Sequence, residues 1–298
     1  MKIFRAAAFA VFALVLSGVR PARADESPFG YIYTADLLPK GRWEYEQWNT
    51  LRGGKARGKY TALDIRNEAE YGFTDRFSGA LYLNSSYNRI RGVPDSEDPT
   101  VNLPKTDRFD VNGVSVELKY RVLSPYKDPI GLVLYVEPEL EVRNAEEGVD
   151  EIARALEFKL ILQKNFFQDR LVFASNLTAE PEWERMPDGS QNREARTEAS
   201  IGGAYRVVPG WTVGLELLSR HGKLEQVTGD KRYSALFFGP SVHYTRDAWW
   251  GTLTLLPQIG GTPHSLGADA SGIDVKDPSR FLGNQEKVEV RFRFGYNF

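Results

Sequence analysis

The chain has 298 residues, with 38 Lys and Arg against 40 Asp and Glu and no cysteine. A net charge of −2 implies no polyanion-binding surface, so no nucleic-acid partner is expected; the missing thiols exclude disulfides, thiolate metal sites and a cysteine nucleophile. Aromatics make up 12% of a chain that is hydrophilic on average, which fits either a soluble exported β protein or a barrel that hides its polar half inside.

The first element is a leader. Met1 to Arg5 is a short basic start, Ala6 to Leu16 an unbroken apolar run, and Ala22-Arg23-Ala24 a small-x-small cleavage site. The run is roughly half the ~20 residues of a membrane helix, so 1–24 is expected to be a signal peptide cut after Ala24. Without its four basic residues the net charge becomes −6. In 25–40, Phe29, Tyr31 and Tyr33 alternate before Leu37-Leu38-Pro39. A crossing here would make the strand count odd, so we expect a periplasmic or lumen-entering lead-in, with the barrel occupying 41–298.

From there the chain alternates with period two, the signature of strands with one apolar and one polar face. Strands are expected near 42–51, 60–73, 77–87, 109–122, 130–143, 152–163, 170–184, 194–206, 211–219, 232–245, 249–259 and 285–298. Their connections alternate between short (74–76, 208–210, 246–248) and long (88–108, 220–231, 260–284), as periplasmic turns and outer loops do. The reading is an all-β, antiparallel up-and-down transmembrane barrel of about twelve strands with both termini periplasmic. Trp43, Tyr45, Tyr71, Phe73, Trp183, Trp211, Trp249, Tyr296 and Phe298 would form its interfacial girdles. Pro138, Pro181, Pro240 and Pro257 fall inside strands, where each lacks a ladder donor; bulges or a thinning sheet are expected there. Gln47 and Asn49 interrupt the apolar face of the first strand. A periplasmic sandwich would also alternate, but its outer faces would not carry such dense mixed charge.

The inward faces give the candidate lumen lining: Asp64, Arg66, Glu68 and Glu70; Glu117, Lys119 and Arg121; Glu137, Glu139, Glu141 and Arg143; Glu157 and Lys159; Glu180, Glu182 and Glu184; Glu194, Arg196 and Glu198; Glu289, Arg291 and Arg293. Interspersed signs suit a passive channel or transporter for small solutes that the sequence does not identify. The alternative is a closed structural or adhesive barrel whose lumen is laced by salt bridges. The acidic ladders 137-139-141 and 180-182-184 have no inward histidine nearby and read as solvated wall rather than a metal site.

The last strand, Arg291-Phe-Arg-Phe-Gly-Tyr-Asn-Phe298, resembles the assembly signal of bacterial outer-membrane proteins. That resemblance implies an outer-membrane location in contact with its lipid, and recognition of Phe292, Phe294, Tyr296 and Phe298 by the barrel-assembly machinery. The turn Tyr71-Gly-Phe-Thr-Asp-Arg-Phe77 resembles that of small transporter-like, porin-like barrels found beside aromatic-compound degradation.

No enzyme, cofactor or metal site is expected. Ser219 and His221 share outward parity, where an outer-leaflet lipase of the outer-membrane phospholipase kind would place its pair, but no orienting acid or amide is identifiable. His243 has inward parity, and His264 lies with Asp269, Asp274 and Asp277 in a Gly-rich loop that lacks calcium-loop spacing.

Overall fold

The computed structural model describes residues 26–94, 101–187, 189–226, 229–262, 265–268, 274–276 and 285–298. The period-two segments become β1 (Trp43–Gly53), β2 (Lys59–Thr74), β3 (Phe77–Arg91), β4 (Thr106–Leu123), β5 (Gly131–Arg143), β6 (Asp150–Phe166) and β7 (Leu171–Arg185). They continue as β8 (Gln191–Val208), β9 (Trp211–Gln226), β10 (Gly229–Arg246), β11 (Trp249–Thr262) and β14 (Val288–Asn297). Each pairs antiparallel with its neighbours, and β14 closes on β1, giving a twelve-stranded up-and-down barrel. Closure leaves no strand edge for the solvent or lipid to satisfy. Among the described residues, no helix is long and apolar enough to cross a membrane.

Side-chain parity follows the pleat. On β5, Leu134 and Leu140 stand out from the wall while Glu137 is fully buried within it. Rings gather at the rim where the short turns lie: Trp43 on Tyr71 at 4.7 Å, Trp211 on Tyr244 at 4.7 Å, and Trp249 on Tyr296 at 4.2 Å. We call this rim the turn end and the opposite one the loop end. Tight two-residue turns need positive φ, supplied by Gly210 (81°) and Asp247 (57°).

The prolines leave a regular mark. Pro138 pairs with Leu156 of β6 and Pro181 with Ala195 of β8, while the ladder is open opposite each on its other neighbour. Pro240 pairs with Leu215 and Pro257 with Val288, and between them β10–β11 has no partners from Phe238 to Pro240. A residue without an N–H can serve one ladder but not both. Two loop expectations are corrected. The long connection at 220–231 is taken up by β9 and β10, which run on to Gln226 and from Gly229 as an overhanging hairpin. The loop at 260–284 carries a small two-stranded sheet, β12 (Ser265–Ala268) with β13 (Asp274–Lys276). His264, Asp269 and Asp277 lie outside the described residues.

Candidate functional site: a belted lumen

Residues 26–40 lie inside the barrel, and they pair with no strand. Their backbone groups are held by wall side chains instead. Thr252 on β11 donates to Ser27 O at 2.9 Å and Ser241 on β10 to Pro28 O at 3.1 Å. The N–H groups of Gly30 and Tyr31 both donate to Glu216 on β9, each at 2.8 Å. Asn176 on β7 accepts from Tyr33 N at 2.7 Å and returns a bond to Tyr33 O at 3.0 Å. Gln163 on β6 accepts from Ala35 N at 2.6 Å, and Tyr126 in the β4–β5 turn donates to Asp36 at 2.7 Å. The segment therefore circles the inner wall from β11 to the β4–β5 turn before Gly41 N bonds Gly72 O at 2.7 Å and β1 begins. We call it the belt. Buried backbone groups need partners, and here polar wall residues replace a ladder.

Apolar contacts hold the same segment. Tyr31 packs with Leu218, Ala235, Phe237 and Leu256; Phe29 and Ile32 with Ala174 and Ala204; Tyr33, Ala35 and Leu37 with Trp48, Val133, Tyr135 and Ile161. Gly202 on β8 makes room, since a Cβ there would sit 2.8 Å from both Ile32 Cδ1 and Phe29 Cε1. Sequence reasoning missed the anchoring roles of Glu216, Asn176 and Gln163, but a signal existed. Val133, Ile161, Leu218, Phe237 and Leu256 are apolar at inward parity, which a water-filled lumen does not call for.

The other side of the turn-end lumen, along β14 and β1 to β5, is a packed polar core. Lys119 bridges Glu70 at 3.1 Å and Glu117 at 2.9 Å, and Arg293 meets Glu46 at 2.7 Å. Trp48 donates to Glu68 at 3.0 Å, Trp250 to Glu44 at 2.5 Å and Tyr82 to Glu117 at 2.7 Å. Glu137 is taken up by Arg66, Tyr135 and Ser115. Arg guanidinium groups stack on rings, Arg291 3.8 Å above Tyr31 and Arg293 3.8 Å above Trp48.

Toward the loop end the lumen opens into a cavity of about 280 Å3. The rings of Tyr31 and Tyr33 line it, and its wall carries Glu139 and Glu141 on β5, Glu180 and Glu182 on β7, and Arg52, Arg66, Arg196, Arg220 and Arg291. Arg196 is shared by Glu180, Glu182 and Glu194, and Arg220 by Glu198 and Glu289. Asp64 pairs with Arg52 at 2.8 Å, which also reaches Glu146 of the β5–β6 loop at 2.7 Å. Burial pushes the Glu146 carboxyl up, but Arg52, Arg196 and Lys55 outweigh it and hold the group well below the usual carboxylate range.

Glu157 and Lys159 pair with each other in the cavity wall, and the remaining lumen candidates sit at the rims. Arg121 has inward parity but reaches down to Asp75 O in the β2–β3 turn. Arg143 closes the loop end against Asp110 and Asp150. Two carboxylate trios, Glu68-Glu70-Glu117 and Glu151-Glu182-Glu184, have oxygens within 4.8 Å of one another. Lys119 already neutralises the first, while Arg196 and Asn144 reach into the second. His243 is buried and bonded to Thr252 at 2.8 Å. Ser219 Oγ and His221 Nε2 are 2.9 Å apart on the outer face, and among the described residues no acid or amide orients the imidazole.

Comparison with solved structures gives the fold relationship. The COG4313 outer membrane channel from Pseudomonas putida F1 superposes with a TM-score of 0.55 at 13% identity, covering 94% of this chain and all of that one. The NanC porin covers 85% of this chain and 98% of its own at 11% identity and a TM-score of 0.45. The KdgM porin, solved with disordered oligogalacturonate, covers 86% and 99% at 11% identity and a TM-score of 0.42. No curated protein matches the chain. A family of unknown function (DUF6662) matches residues 21–298.

Proposed function

The chain belongs to that family of unknown function, and from its lumen we propose that it is a bacterial outer-membrane channel for small polar solutes, constricted by the belt. The apolar outer face flanked by rings suits a bilayer, and we assign the turn end to the periplasm. By the same reading, the aromatic row of β14 presents the barrel to its insertion machinery. One observation carries the channel reading. The polar cavity ends on a belt fixed by side chains alone, so the constriction can move without breaking a strand ladder. The mixed-charge wall would admit small solutes of either sign with weak selectivity.

Planar-bilayer recording of refolded protein tests this. Small conductance is expected for the wild type, and larger conductance when Glu216, Asn176 and Gln163 are replaced together by Ala. The turn-end core of Lys119, Glu70, Glu117, Arg293 and Glu46 favours a second reading, a barrel closed for structural reasons. Absence of channel events from both folded proteins would establish that alternative.

A further inference from the structure

The lipid face is apolar almost everywhere, which makes its departures informative. Among the described residues, the outward rows of β4, β5, β11 and β14 between the rims carry no amide: Val114 to Tyr120, Leu134 to Leu140, Leu253 to Pro257, and Val288 to Phe294. The seam of β1 and β2 differs. Gln47 and Asn49 on β1 and Asn67 on β2 point outward, Gln47 directly opposite Asn67 and Asn49 opposite Ile65. A tilted strand climbs roughly 2.5 Å per residue, so Gln47 and Asn49 stand about 10 and 15 Å above the Trp43 ring. That is the middle of a hydrocarbon band about 25 Å tall.

Their hydrogen bonding is incomplete. Asn67 Oδ1 accepts from Tyr45 OH at 2.8 Å and from Gln47 Nε2 at 3.4 Å. Among the described residues, no other side-chain bond reaches the Asn67 amide nitrogen, Gln47 Oε1 or the Asn49 amide. In hydrocarbon such groups are costly, because lipid tails offer neither donors nor acceptors. Carboxamides carry both on one group and so can pair with copies of themselves, as Asn and Gln do between membrane helices. The neighbouring outward residue, Ala69, is small enough to let another wall come close.

We infer that the β1–β2 face is the seam of a homodimer, in which Gln47, Asn49 and Asn67 meet the same amides of a second copy across a two-fold axis parallel to the membrane normal. An isologous contact suits a small, self-complementary patch, because the same groups serve both sides. The inference rests on the proposed membrane residence, and the test separates the two.

The chain lacks cysteine, so single thiols can be placed cleanly. Ala69→Cys and, three strands round the barrel on β11, Leu255→Cys are expressed at low level, and membranes are treated with a short bis-maleimide. A dimer band is expected for Ala69→Cys and none for Leu255→Cys. Adding Gln47→Leu, Asn49→Leu and Asn67→Leu should abolish the Ala69→Cys band while leaving the heat-modifiable folded band. The wild type in mild detergent should have the mass of two chains. A monomer in the membrane fraction, a mass other than that of two chains, or a cross-link to a different protein overturns the dimer alone. Recovery in the soluble fraction overturns membrane residence and the dimer with it.

Discussion

Replacing Glu216 with Ala should loosen the belt while leaving the barrel folded. The carboxylate accepts from Gly30 N, Tyr31 N and Thr254 Oγ1, each at 2.8 Å, in a fully buried setting. A buried donor left without an acceptor costs about 1–3 kcal/mol, so three give about 3–9 kcal/mol. Water entering from the cavity would supply some bonds, and the lower end, about 3 kcal/mol, is the working figure. At 1.4 kcal/mol per tenfold, the released belt should become about two orders of magnitude more populated. Ser27→Cys provides the reporter, because Ser27 is a buried residue of the belt itself and the chain has no other thiol. Its maleimide labelling in folded protein should accelerate by that factor in the Glu216→Ala background. Glu216→Gln should fall between, since it keeps one acceptor oxygen but turns donors toward donors. Equal labelling rates in all three backgrounds, with the folded gel band intact, would show that Glu216 does not anchor the belt.

The acidic residues of β5 should divide by function. Glu139→Gln with Glu141→Gln should shift reversal potentials toward anions with little loss of stability, whereas Glu137→Gln, which unpairs Arg66, Tyr135 and Ser115, should cost about 2–4 kcal/mol in urea unfolding from bilayers. Gly202→Ala should raise cleavage within 26–40 by added protease, because its methyl meets Ile32 and Phe29; unchanged protection would mean that the belt can shift sideways at no cost. Glu146 has a lowered folded pKa, so its contribution is complete above the ordinary glutamate range and is lost only as pH falls through the lower folded value. Hydrogen exchange at 144–149, corrected for intrinsic rate, should therefore show the same protection at pH 7 and pH 5. Arg52→Ala should abolish that protection at both.

The wall was legible because a strand writes its two faces into the chain at every second residue. β14 is the plainest case, with Val288, Val290, Phe292 and Phe294 against Glu289, Arg291 and Arg293. The prolines could be seen but not their effect, since which ladder a missing N–H breaks depends on the direction in which that residue faces its neighbours. The overhang of β9 and β10 was hidden because polar residues on both faces look like a loop. The belt was the hardest to read. The alternation of Phe29, Tyr31 and Tyr33 is too short to say where the segment goes, and its partners Glu216, Asn176 and Gln163 are separated from it by more than a hundred residues. Charge alone could not distinguish Glu137, sealed beneath Arg66, from Glu139, which faces the cavity, although both have the same parity.

Because the belt is hydrogen-bonded by side chains of six strands and by none of their backbones, it can find its place only after those strands have come together. The sequence separations are 186 residues for Gly30 with Glu216, 143 for Tyr33 with Asn176 and 128 for Ala35 with Gln163. Closing loops of that length is unfavourable until the wall already fixes the far ends. The cylinder must therefore be completed hollow, with water against Leu218, Phe237 and Ile161. The segment that precedes the barrel in sequence is then the last to settle, and it expels that water as it arrives. Refolding should accordingly show two phases: an early one in which the barrel becomes resistant to heat on gels, and a later one in which the thiol at position 27 in Ser27→Cys becomes unreactive.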